Sequence, residues 1–96
     1  MLENKDYCDY ETCVALSQLG CPMAKRGYLG LSLYSAQKWL REGHNLHIEV
    51  RWYIMWYEYE VKEAEGKVVA EGSAFPTYEE ALSTAVRMAV EHLKEK

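Results

Sequence analysis

The stretch Leu46-His-Ile-Glu-Val50-Arg-Trp-Tyr-Ile-Met55-Trp-Tyr-Glu-Tyr-Glu60-Val-Lys62 decides how this chain folds. Leu46, Ile48, Val50, Trp52, Ile54 and Trp56 recur at every second position, the period of an extended strand whose side chains alternate between two faces. His47, Glu49, Arg51, Tyr53, Met55, Tyr57, Tyr59 and Val61 take the other face. Seventeen residues is far longer than an ordinary strand of about five or six, so a reversal or bulge is expected near Arg51 to Tyr53, although no Gly, Pro, Asn or Asp marks it. Five rings, Trp52, Tyr53, Trp56, Tyr57 and Tyr59, fall within eight residues, and in one unbroken strand they make both faces apolar. An antiparallel sheet with helices on one side needs only one apolar face. Either helices cover both sides of this segment, or one face stays open as a contact surface.

Working outward, Glu63-Ala-Glu-Gly66 separates a strand at Tyr57–Lys62 from another at Lys67–Ser73, and Gly66 supplies the positive φ of a short hairpin. After Pro76, Thr77-Tyr-Glu-Glu80 is a capping box, opening a helix whose apolar stripe runs through Tyr78, Ala81, Leu82, Ala85, Ala89 and Leu93, widened by Val86 and Val90. Upstream, Asp9 is the N-cap of a helix over Tyr10–Leu19, which Gly20 and Pro22 end. Residues 21–32 read as a connection with a short strand at Tyr28–Leu31. Ser32 then caps a helix from Leu33 to Glu42, closed by Gly43, with Leu33, Ala36 and Leu40 inward and Lys38, Arg41 and Glu42 outward. The expected fold is α+β: one domain over 1–96 with a flexible leader at 1–8, and a small antiparallel sheet of two to four strands packed with three helices, in the order helix, helix, strands, helix.

Composition sets the limits on function. The chain is 49% hydrophobic and 27% charged, which a folded domain needs and a disordered segment lacks. Its rings are eight Tyr and three Trp against one Phe, a set suited to half-wet surfaces. A net charge of −4 argues against a dedicated nucleic-acid binder. The balance is uneven: residues 25–51 carry Lys25, Arg26, Lys38, Arg41 and Arg51 against two acids, while both flanks are acidic. No run of apolar residues is long enough to span a membrane, and the opening Met1–Asp6 has neither a basic lead nor an apolar core, so a cytoplasmic location is expected. Cys8, Cys13 and Cys21 cannot all pair within one chain and are expected as thiols.

The string Ser32-Leu-Tyr-Ser-Ala-Gln-Lys-Trp-Leu-Arg-Glu42, followed by His44-Asn-Leu-His-Ile-Glu-Val50, the aromatic strand and Thr77-Tyr-Glu-Glu-Ala-Leu82, resembles small uncharacterised proteins of gut anaerobes and their phage-like mobile elements. The likeness covers most of the chain from Asp9 onward. That group has no assigned activity, so the resemblance implies an origin and a fold and carries over no catalytic residue. Its members often place a longer polar insert after the strand of Ile48, where here Arg51-Trp52-Tyr53 runs straight on.

Residue chemistry offers three readings. The first takes Trp52, Tyr53, Trp56, Tyr57 and Tyr59 as a contact surface for a protein partner or a second copy, since Tyr, Trp and Met are enriched at interface cores. It makes the chain a non-enzymatic interaction or self-associating module that needs no cofactor. The second combines the basic 25–51 stretch, including Lys38 and Arg41, with ring stacking on single-stranded nucleic acid, against the nearby Glu58, Glu60 and Glu63. The third is a small metal or ligand site around His44 and His47, the one tight pair among the Cys and His residues; the cysteine gaps are wider than structural zinc sites use. No hydrolase, phosphate-loop or zinc-protease motif is present, so no enzyme class is indicated.

Overall fold

A computed structural model of the chain describes residues 6–26 and 31–95. Helix α1 spans Tyr10–Gln18, α2 Pro22–Arg26 and α3 Leu33–His44; strands β1 His47–Tyr53, β2 Trp56–Lys62 and β3 Val68–Phe75 follow, and α4 Tyr78–Lys94 closes the fold. This is an α+β fold: a three-stranded antiparallel sheet in the order β1-β2-β3, packed with helices.

The capping residues behave as their chemistry requires. Asp9 accepts from the Thr12 amide at 2.7 Å, Ser32 from Ser35 at 3.0 Å and Thr77 from Glu80 at 3.1 Å, each satisfying an orphan donor of a first helical turn. Gly20 and Gly66 take positive φ at the end of α1 and in the β2–β3 turn. Two boundaries differ from expectation. Pro22 does not merely end α1; it stands first in the five-residue α2, where its missing N–H has no helical partner to lose. Helix α3 runs through Gly43 to His44, and Asn45, not Gly43, takes the left-handed position beyond it with φ 55°. The described fold therefore has four helices rather than three. Of the leader expected at 1–8, residues 1–5 lie outside the described residues, while Tyr7 bridges Ser32 and the Cys8 amide donates to the Leu31 carbonyl at 2.9 Å. The strand expected at Tyr28–Leu31 lies mostly outside the described residues, and Leu31 itself is buried coil.

Helix α4 packs against all three strands and against α1 and α3, so it is the centre of the molecule. Leu82, Val86 and Val90 meet Val61 and Ile48 of the sheet, Leu33 and Leu40 of α3, and Leu16 of α1 in one core, with Cys8, Cys13 and Cys21 buried in it. Ala81, Ala85 and Ala89 are fully buried, and their small side chains bring α4 close to its neighbours.

Candidate functional site

The aromatic run is a hairpin. Its register pairs Tyr53 with Trp56, Trp52 with Tyr57, Arg51 with Glu58 and Val50 with Tyr59, so the reversal lies at Ile54-Met55, just beyond the expected Arg51 to Tyr53. A two-residue turn changes the parity of the alternation. Even-numbered Ile48, Val50 and Trp52 share a face with odd-numbered Tyr57, Tyr59 and Val61, while Glu49, Arg51 and Tyr53 share the other with Trp56, Glu58 and Glu60. The two-faced apolarity of the sequence is thus an effect of reading two strands as one. One face meets the helices; the other is open and polar. Neither helices on both sides nor an apolar open face is present along most of the hairpin.

That open face carries an ion-pair network. Arg51 Nε donates to Glu58 at 2.8 Å and Arg51 Nη1 to Glu60 at 3.2 Å, with Glu49 at 3.5 Å and Lys62 bridging Glu60 and Glu49. Hydrogen bonding to Glu58, then to Glu60, raises the Arg51 pKa above its ordinary value, and hydrogen bonding to Arg51 lowers that of Glu60. These groups are solvent-facing, so each pair contributes little. A shallow depression of about 390 Å³ lies over this network and beside Glu71 and Ser73.

Within the β1–β2 hairpin, the exposed apolar surface is confined to the tip. Trp52, Tyr53, Ile54 and Met55 are 57%, 52%, 67% and 70% exposed. Covering a large apolar side chain fully is worth about 1.5–3 kcal/mol, so this tip forgoes several such contributions in the monomer. Local geometry adds two further costs. Ile54 has φ 58° at the first turn position while Met55 has not crossed to positive φ, the pattern of a type II′ turn whose first residue is normally glycine. A β-branched residue there is strained by about 1–3 kcal/mol. The Trp56 indole N–H is a buried donor without a partner, the single such side-chain atom among the described residues. The rings hold one another edge-on, Trp52 on Tyr57 at 5.0 Å and Tyr57 on Tyr78 at 5.9 Å, which fixes Trp52 against the sheet while leaving its outer face bare.

The five rings therefore do not act together. Trp52 and Tyr53 are exposed, Trp56 and Tyr57 are half-buried supports, and Tyr59 is core, 5% exposed. A Cβ on Gly72, its neighbour in β3, would lie 2.6 Å from the Tyr59 ring, so the glycine makes room for it. Tyr59 is removed from the contact surface. The histidines separate as well: His44 packs edge-on against Trp39 at 4.7 Å, whereas His47 is exposed on the open sheet face opposite Lys62. Among the described residues no three His, Cys, Asp or Glu side chains gather as a metal site would require. Lys38 and Arg41 are exposed on α3, while Arg51 is engaged by carboxylates on the open face, so these three cations do not form one patch.

The sheet edges complete the site. Strand β3 is interrupted by register shifts opposite Tyr57–Tyr59 and Val61–Lys62, and Ala74 takes φ 70° at the first of them. Such bulges spoil an edge for further pairing. Strand β1 is regular. In a hairpin closed by Tyr53 and Trp56, the N–H and C=O of Ile48, Val50 and Trp52 point away from β2. The Ile48 carbonyl accordingly accepts from Gln37 Nε2 at 3.0 Å across that edge. Comparison of the chain with protein-family models, curated proteins and solved structures finds no match.

Proposed function

We propose that this chain is a non-enzymatic protein-interaction module whose contact element is the β1–β2 hairpin tip, Trp52 to Trp56. The reading is carried by the coincidence of four consecutive exposed apolar residues with a strained Ile54 at a position suited to glycine. Folding alone gains from neither feature, and contact surfaces are where such costs are retained. The resemblance to proteins of gut anaerobes and their mobile elements gives the setting: a partner from the host or the element, or a second copy, in the cytoplasm. The nucleic-acid alternative has less support, because Arg51 is already surrounded by Glu49, Glu58 and Glu60.

A photo-crosslinking amino acid placed at Met55, with the same group at exposed Lys67 in the opposite turn as control, tests this in the native host. Protein adducts concentrated at position 55 are expected. Equal labelling at both positions would remove the proposal.

A further inference from the structure

We infer that the occupant of this surface is a second copy of the chain, joined antiparallel along β1 so that two three-stranded sheets become one of six. The inference rests on the interaction reading above and adds its partner and register. Of the two edges of the sheet, β3 is broken by its bulges, while β1 offers an unbroken row of outward N–H and C=O groups at Ile48, Val50 and Trp52. Symmetric pairing centred on Val50 sets Val50 opposite its own copy and Ile48 opposite Trp52, so every outward group of that row meets a partner. The Ile48 carbonyl keeps Gln37 on one lone pair and accepts on the other.

Charge selects this register over its neighbours. On the open face it places Glu49 directly opposite Arg51 of the other copy, twice, and both side chains are about half exposed. A slip of two residues one way sets Glu49 against Glu49, and the other way Arg51 against Arg51, while a slip of one residue inverts the faces. The same register carries the tip past the start of the partner strand, Ile54 opposite Leu46 and Met55 opposite Asn45. There the chain has a depression of about 230 Å³ bounded by His44, Asn45, Leu46 and the turn at Glu63 to Glu65. The exposed apolar tip of each copy thus lies beside a recess of the other, on either side of the twofold axis.

Sedimentation equilibrium from low to high micromolar concentration, with folding of each variant checked by circular dichroism, tests this. The wild-type chain is expected to dimerise. Glu49→Arg alone sets two guanidinium groups against each other at both contacts, and Arg51→Glu alone sets two carboxylates against each other; each weakens dimerisation about tenfold or more. Mixing the two variants gives a heterodimer in which an arginine faces a glutamate at both contacts, so the mixture recovers dimerisation, and the double variant Glu49→Arg/Arg51→Glu likewise restores opposite charges at both contacts and dimerises at wild-type strength. Val50→Pro removes an outward N–H at the centre and abolishes the dimer without touching the β1–β2 ladder. A dimer indifferent to both single charge changes, or not restored in the double variant, overturns the register. A wild-type chain monomeric throughout overturns the inference; if position 55 then crosslinks a different protein, the interaction reading stands, and if it crosslinks nothing, both fall. Monomers whose Trp emission shifts blue on phosphatidylcholine vesicles would instead assign the tip to a lipid interface, which also overturns the inference.

Discussion

Ile54 holds φ 58° in a turn that glycine fits without strain, so Ile54→Gly removes a local cost while deleting an exposed apolar side chain. The substitution is expected to raise stability by about 1 kcal/mol in urea titration, after the entropy of the added glycine is set against the relieved strain. The same change should abolish crosslinking at the tip. Gly72 sits under the opposite constraint. Gly72→Ala puts a methyl 2.6 Å from the buried Tyr59 ring, so the ring must shift, and a loss of about 1–3 kcal/mol is expected in the same titration. A third residue responds to pH. Burial, chiefly, pushes the Cys8 thiol from its ordinary 9.0 up to about 12, so the fold favours the protonated form. The sign follows: with the folded pKa raised, the native state holds its proton where the unfolded chain has lost it, so stability is unaffected by this group below about pH 9 and falls as pH rises from there toward 12. Iodoacetamide at mildly alkaline pH should label native Cys8 only as fast as the chain opens, and label it readily in denaturant.

Elements were legible where their chemistry is local. Asp9, Ser32 and Thr77 each announced a helix start, and each accepts the expected amide. Thr77→Ala is expected to cost about 1 kcal/mol by thermal or urea unfolding, because it leaves the Glu80 amide unpaired at the helix that organises the core. The ends of elements were less legible. Gly43 has the right composition for a helix stop, yet the chain continues one residue and lets Asn45 turn left-handed, a conformation Asn tolerates better than most residues. Pro22 carries the same ambiguity, since proline both ends one helix and suits the first position of the next. The hairpin reversal was hidden for a different reason: Ile54-Met55 breaks the turn chemistry that makes reversals visible. A signal was nevertheless present. Polar residues occupy odd positions at Glu49 and Arg51 and even positions at Glu58 and Glu60, and that change of parity requires an even-length loop between them. The place where local turn rules fail is the place proposed to make contact.

At the scale of the whole molecule, the helices and the sheet divide the chain into one apolar interior and two edges of unequal quality. Composition pointed to a wet aromatic surface; among the described residues Tyr10 and Tyr34 are exposed singly on helices, whereas Trp52 and Tyr53 run on into exposed Ile54 and Met55 at the tip of one hairpin. Tyr59 could not be separated from them in sequence, because its burial depends on Gly72 thirteen residues away, brought opposite it only by the β2–β3 turn and the register shift in β3. The edge itself was likewise invisible, since strand order and the bulges of β3 decide which strand is left unpaired. The proposed self-association depends on that edge, and amide hydrogen exchange at Val50 and Trp52 as a function of protein concentration tests it most directly. Their N–H groups face outward from the monomer, so both should exchange rapidly in dilute solution and become protected as concentration rises, in step with one another. Rapid exchange at both amides at every concentration would contradict it.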